Sequence, residues 1–146
     1  MSSEMNKLDL SAFRNAVISL NDSLEVVSDP NWFSQQSEKV RNTLLSGVVK
    51  NFEFVYEIGV KMIKRQIEFE SASPDEVDES NFRDVLRVAA EKGLIADVEA
   101  WFAYRKMRNI TAHTYDHEKA QQVYRDTLGF VGDAHSLLIA LEKRNG

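Results

Sequence analysis

The chain has 146 residues, with no Cys, 2 Pro and 6 Gly, and 18 Lys+Arg against 23 Asp+Glu give a formal net charge of −5. The length fits one domain, able to bury roughly 70% of its unfolded surface without a covalent staple. The missing Cys excludes disulfides, thiolate metal sites and a Cys nucleophile and fits a reducing compartment, and the acidic balance disfavours nonspecific duplex binding, which depends on neutralising many phosphates.

The N-terminal MSSEMNKLDL has no basic region followed by an apolar run, so no secretory signal is expected. No stretch of ~18 apolar residues occurs, so no membrane span is expected, and the chain is read as cytoplasmic. Between residues 8 and 28 the apolar series is Leu10, Phe13, Val17, Leu20, Leu24 and Val27. These steps of three and four predict one amphipathic helix with a single buried stripe. Ser28-Asp29-Pro30-Asn31 predicts its stop, because Pro disfavours helix in the residue before it. Trp32 and Phe33 then read either as an exposed anchor for a partner or as a plug closing the bundle.

A long helix is predicted over 35–70, with Val40, Leu44, Val48, Phe52, Val55, Ile58 and Met62 as its stripe, widened by Tyr56, Ile63 and Ile67. Gly47 and Gly59 lie inside it, either for close helix approach or as tolerated glycines. Lys61, Lys64 and Arg65 form a basic cluster that could meet phosphate but more often is a solvated face, helped by Glu57 at i−4 from Lys61 and opposed by Lys61–Arg65 at the same spacing. Residues 71–80, with Pro74 and four acids, predict a solvated loop. Asn81 then caps a helix over 81–92, with Phe82, Val85, Leu86 and Ala89 inward and Gly93 as its C-terminal cap. A fourth helix follows over 97–109, with Val98, Trp101, Phe102 and Arg105 on one broad face. The β-branched residues of 110–116 weaken helix preference. Asp116 caps a last helix over 117–143, with Ala120, Val123, Tyr124, Thr127, Val131, Ala134, Leu138 and Leu141 inward. With no strand-like alternation of useful length, the fold class is all-α: a four-helix up-and-down bundle with one extra short helix, in a single domain over 1–146.

One window departs from the acidic pattern. Residues 100–115 contain no Asp or Glu, carry Arg105, Lys106, Arg108 and His113, and hold four aromatics, Trp101, Phe102, Tyr104 and Tyr115. Arginine forks match phosphate oxygens and flat rings stack on bases, so the window fits a nucleotide or single-stranded RNA site with Tyr104 and Arg105 in support. It equally fits core aromatics beside an ordinary wet face. On a continuous helix Arg108 and His113 would be about 140° apart, so either the helix ends between them or the pair acts through a neighbouring chain. A phosphate-holding Arg beside a proton-shuttling His could support metal-independent RNA cleavage. His113 would activate a 2′-OH or protonate the leaving oxygen, and Arg108 would stabilise the phosphorane-like transition state.

The segment Arg108-Asn109-Ile110-Thr111-Ala112-His113-Thr114-Tyr115 resembles the R-x4-H-x-Y pattern of the HEPN family, in its HepT-like branch. The stretches MRNITAHTYDHEKA and NWFSQQSEKVRNTLLSGVVKNFEFVYEIGVKMIKRQ extend the resemblance to that family's nucleotidyltransferase substrate-binding proteins, from about residue 8 to 143. The chain departs from the expected pattern at Asn51, where a basic residue is expected before Phe52 and Lys50 stands one place earlier. The resemblance implies a helical bundle that forms a homodimer and pairs with an MNT-type nucleotidyltransferase. In the HepT branch it implies a ribonuclease toxin, silenced when the MNT partner adds AMP to the motif tyrosine. On this basis Arg108 and His113 would be the ribonuclease pair, Tyr115 the modified residue, and Asn109 a polar residue orienting the site.

The chain does not carry the nucleotidyl-transfer chemistry itself. That reaction needs a Gly-Ser phosphate-holding turn and metal-binding acids in D-x-D spacing. No Gly-Ser dipeptide occurs, and Asp97-Val98-Glu99 and Asp116-His117-Glu118 read as helix starts. No cofactor is expected. No metal is expected either, since His113, His117 and His135 form no H-E-x-x-H arrangement. Three functions therefore stand: a binding subunit of a nucleotidyltransferase pair, a HEPN ribonuclease acting on RNA, and a helical interaction module in which Arg108 bonds helix carbonyls and His113 caps a helix.

Overall fold

Six helices are present among the residues described by the computed structural model, which are 7–72, 81–111 and 117–146, with the backbone alone for residues 117, 119 and 120. Helix α1, Ser11–Val27, buries Phe13, Val17, Leu20, Leu24 and Val27, and Leu10 is buried just before it. This is the stripe its three-and-four spacing predicts.

The next element is absent from the sequence expectation. Pro30 both stops α1 and starts a short helix α2, Pro30–Ser34, because the Asp29 side chain accepts from the backbone N–H groups of Asn31 and Trp32. Proline at the first helical position loses no hydrogen bond, and an Asp cap fills the donors before it. The Trp32–Phe33 pair divides: Trp32 is exposed, and Phe33 packs against the core.

Helix α3, Glu38–Glu70, is capped by the Ser37 side chain and runs for about 50 Å. Its inward face corrects the expectation at one end. Val40 is 41% exposed, and Leu45 and Val49 are buried in its place. From Val48 onward the expected stripe holds, with Phe52, Val55, Tyr56, Met62, Ile63 and Ile67 buried. Asn51 donates from Nδ2 to the Ser19 carbonyl, so it ties α3 to α1, while Lys50 lies 3.9 Å from Glu53 and over the Phe54 ring.

The two glycines of α3 differ physically. A Cβ on Gly59 would sit 3.2 Å from Phe13 Cε1 and 3.5 Å from Leu137 Cδ2, so this glycine lets α1 and the helix that carries Leu137 approach α3 closely. A Cβ on Gly47 would meet nothing within 4 Å. Gly47→Ala is therefore expected to stabilise the protein by about 1 kcal/mol, raising Tm by roughly 3–5 °C. Gly59→Val is expected to cost about 1–3 kcal/mol through overpacking. Thermal unfolding of the two variants checks the contrast; equal shifts would refute it.

Helix α4, Phe82–Glu91, is capped by Asn81 Oδ1 accepting from the Asp84 N–H, and Gly93 closes it at φ 78°. Helix α5, Val98–Ile110, follows with Asp97 as its cap, and α6, His117–Asn145, completes the bundle. Helix α3 packs against α1, α6, α4 and α5, and α1 and α5 also contact α6. The α4–α5 pair thus packs on α3, and α5 also reaches α6. On α6 the expected Val123, Thr127, Ala134, Leu138 and Leu141 are buried, and so are Phe130 and Leu137, which the expected stripe omits. Residues 73–80 of the loop expected over 71–80, the expected Asp116 cap and the Ala120 side chain lie outside the described residues. Among the described residues, no helix is long and apolar enough to cross a membrane.

One polar hub joins three helix ends and the start of the described chain. Arg144 Nη1 donates to both Glu70 oxygens at 2.9 and 3.0 Å, and Gln66 Nε2 donates to Glu70 Oε2 at 2.7 Å. Lys92 Nζ adds a contact at 3.3 Å, and Arg144 Nη2 donates to the Lys92 carbonyl. Asn145 donates to Gln66 Oε1 and accepts from the Leu8 N–H. Burial pushes the Glu70 carboxyl up, but the hydrogen bonds from Gln66, Arg144 and Lys92 outweigh it and hold it below the ordinary carboxylate range. A depressed folded-state pKa stabilises the fold above the ordinary range and is lost as pH falls through it. Glu70→Gln is therefore expected to cost about 0.5–1 kcal/mol at neutral pH, kept small by partial solvation. Its stability should decline less steeply than wild type from about pH 5 to pH 3 in urea titrations.

Candidate functional site

The described part of the acid-free window, residues 100–111, folds as α5 and its C-terminal edge. Asp97 starts the helix by accepting from the N–H groups of Glu99 and Ala100, so Asp97-Val98-Glu99 is a cap and first turn, as its sequence suggests. The helix ends at Ile110, with Thr111 as the C-terminal capping residue. The Thr111 hydroxyl donates back to the Arg108 carbonyl at 2.6 Å. This β-branched residue therefore spends its hydroxyl on the last turn, in keeping with the weak helix preference expected from residue 110 onward.

The expected site residues fall into three environments. Trp101, Tyr104 and Met107 point into the core. The Tyr104 ring makes edge contacts with Trp101 and Phe130 at centroid distances of 5.4 and 4.8 Å. Its hydroxyl donates to Asp133 Oδ2 on α6. Burial, then the Asp133 hydrogen bond and charge, push the Tyr104 hydroxyl well above the ordinary tyrosine range. A base has no free ring face to stack on here, so Tyr104 serves the core and the α5–α6 contact.

Arg105 is exposed and does not share the buried face with Trp101. Its guanidinium lies 4.3 Å from the Phe82 ring centroid, and Arg83 lies 4.6 Å from that of Phe102. Cations thus lie over the half-buried rings on α4 and α5. Asn109 is exposed.

Arg108 sits in the last turn of α5, facing α3. Glu57 Oε1 accepts from Nε at 2.8 Å and from Nη2 at 2.6 Å. Glu53 Oε2 lies 3.6 Å from Nη2, and Nη1 donates to Thr111 Oγ1 at 2.9 Å. The Glu57 hydrogen bond, helped by the charges of Glu57 and Glu53, raises the guanidinium pKa further, against a lesser opposing effect of burial. Its side-chain partners are thus two carboxylates and a hydroxyl, not the helix carbonyls that a purely structural role suggested. Glu57 engages Arg108 instead of completing the i,i+4 pair with Lys61.

Tyr56, one residue before Glu57, is buried on the same side of α3. Burial pushes its hydroxyl up to about 12, against the opposing charges of Arg105 and Arg108. Glu53, Tyr56 and Glu57 are the site residues that sequence reasoning passed over. The signal available was their spacing: positions 53 and 57 are four apart on one helix and share a face. His113 and Tyr115 lie outside the described residues, as does the His117 side chain. Among the described residues, no group of three or more His, Asp or Glu side chains could hold a metal ion.

Residues 8–143 match the family described as nucleotidyltransferase substrate binding protein like. A Haemophilus influenzae protein named probable ribonuclease HepT is 44% identical over 140 residues, spanning 96% of each chain. A solved Haemophilus influenzae structure, described as revealing the fold of a substrate binding domain of a nucleotidyltransferase, is similar at a TM-score of 0.90 and 42% identity. That match covers 92% of this chain and 99% of the other.

Proposed function

The chain belongs to the nucleotidyltransferase substrate binding protein like family, and from that premise we propose that it is the helical substrate-binding subunit of a two-component minimal nucleotidyltransferase system. Its partner would be a separate MNT-type chain carrying the catalytic acids, in a cytoplasmic pair of the HepT–MNT toxin–antitoxin kind. The observation that carries this reading is the near-complete mutual coverage with the substrate-binding-domain structure at 42% identity. The absence of a Gly-Ser turn and of D-x-D acids agrees with it, because the transfer chemistry then belongs to the other chain.

A second reading is supported by the relative named probable ribonuclease HepT and by the Arg108 fork in the last turn of α5. Here the chain is a HEPN-superfamily homodimer that cleaves RNA without metal. Arg108 stabilises phosphate charge, His113 moves the proton, and AMP on Tyr115 silences the activity. The two readings are compatible, since a toxin of this kind is also the substrate of its partner.

Co-expression with the proposed MNT-type partner chain tests both. Co-purification at micromolar concentration is the expected result for the subunit, and failure to associate removes that reading. Intact mass of the co-expressed chain should rise in AMP-sized steps, and Tyr115→Phe should abolish the rise. An unchanged mass in active co-expression removes the modification.

A further inference from the structure

An arginine meets a phosphate best along its Nε/Nη2 edge, where two parallel N–H bonds match two oxygens. In this chain that edge is already taken. Glu57 Oε1 accepts from both Nε and Nη2 of Arg108, and Thr111 Oγ1 takes Nη1. An incoming phosphate therefore finds an occupied fork and a negative charge at the point where its own charge must go.

The two acids on α3 are not equivalent. The Glu53 side chain is 16% exposed, lies 3.6 Å from Arg108 Nη2 and has Lys50 at 3.9 Å as a second cation. The Glu57 side chain is 51% exposed, yet it makes the closer contact at 2.6 Å. An ion pair this exposed is worth only about 0–1 kcal/mol, because water solvates both groups when they part. Glu57 can thus turn away to solvent at small cost, while Glu53 and Thr111 still hold the guanidinium.

We propose that Glu57 is an internal competitor for the ligand: its carboxylate occupies the edge of Arg108 that an RNA phosphate takes and leaves when the phosphate binds. The inference rests on the reading of Arg108 as a phosphate-contacting residue. Glu57 sets the affinity threshold of the site, so a ligand must present enough phosphate charge to displace it.

The test is binding of a short fluorescein-labelled single-stranded RNA to the full chain, followed by anisotropy at low ionic strength. Glu57→Gln keeps the shape and removes the charge. It should bind about 3- to 10-fold more tightly than wild type. The gain should vanish in Glu57→Gln combined with Arg108→Ala. Glu25→Gln on α1 removes the same charge elsewhere and should stay within about twofold of wild type. A merely structural Glu57 would give the opposite sign, with weaker binding as Arg108 is released. Arg108-dependent binding that is unchanged or weakened in Glu57→Gln overturns the competition, as does an equal gain in Glu25→Gln. Binding indifferent to Arg108→Ala, or no binding by wild type and Glu57→Gln alike, overturns the phosphate-site reading beneath it.

Discussion

Phe130→Ala is expected to destabilise the fold by about 3–5 kcal/mol, a large share of what a domain of this size holds. Phe130 is fully buried and stands where three helices meet. Its ring makes edge contacts with Phe52 on α3 at 4.9 Å and with Trp101 and Tyr104 on α5 at 5.8 and 4.8 Å. Removing it loses the transfer energy of a whole ring, three edge contacts, and the filling of a space bounded by rigid rings that cannot collapse inward. Leu128, two residues earlier on α6 and 53% exposed, supplies the contrast. Leu128→Ala should fall within about 0.5 kcal/mol of wild type. Urea unfolding of both variants checks this, and a Phe130→Ala cost below about 1.5 kcal/mol would show that the cluster is not the centre of the core.

Phe130 also shows where sequence patterning stops being informative. The six stripe residues Leu10, Phe13, Val17, Leu20, Leu24 and Val27 are all buried because α1 presents one narrow stripe, chiefly to α3 and α6. Helix α6 packs against α1 on one side and against α3 and α5 on others, so a single stripe undercounts its inward face and misses Phe130 and Leu137. At Val40 the error runs the other way. The apolar period continues past the place where α3 has a helix to pack against, and the residue stays in solvent. Local rules did better at helix ends. Ser37, Asn81, Asp97 and Gly93 act through contacts a few residues away, and three of the four are in the expected readings. The α2 start at Asp29-Pro30 was legible by the same rules, but proline was read only as a stop.

The charge of the acid-free window is the instructive case. Counted along the chain, residues 100–115 are a basic island. Counted in space, Arg108 is met by Glu57 and Glu53 from α3, and Arg105 and Arg83 lie on aromatic rings of α4 and α5. The carboxylate partners of Arg108 are more than fifty positions away in sequence, and no local window contains them. The resemblance pointed to Arg108 through a spacing pattern, whereas the fold supplies the carboxylates that decide how that arginine is presented.

Replacing Arg108 separates charge from geometry in the ribonuclease reading. Arg108→Ala is expected to lower single-turnover cleavage of RNA by the chain alone by about 10²–10³-fold, the size seen when one preorganised donor to a developing oxyanion is removed. Arg108→Lys keeps the positive charge beside Glu57 but offers a compact ammonium in place of a planar fork, so it cannot bind two phosphate oxygens in parallel. It should recover only a small part of the loss. Neither change should unfold the protein, because the Glu57 pair is solvent-exposed and worth at most about 1 kcal/mol. Circular dichroism and urea midpoints close to wild type would establish that the loss is chemical. Full activity in Arg108→Lys would reduce the role to a point charge. Full activity in Arg108→Ala would remove Arg108 from the reaction, leaving its bonds to Glu57 and Thr111 as a tie between α3 and the end of α5.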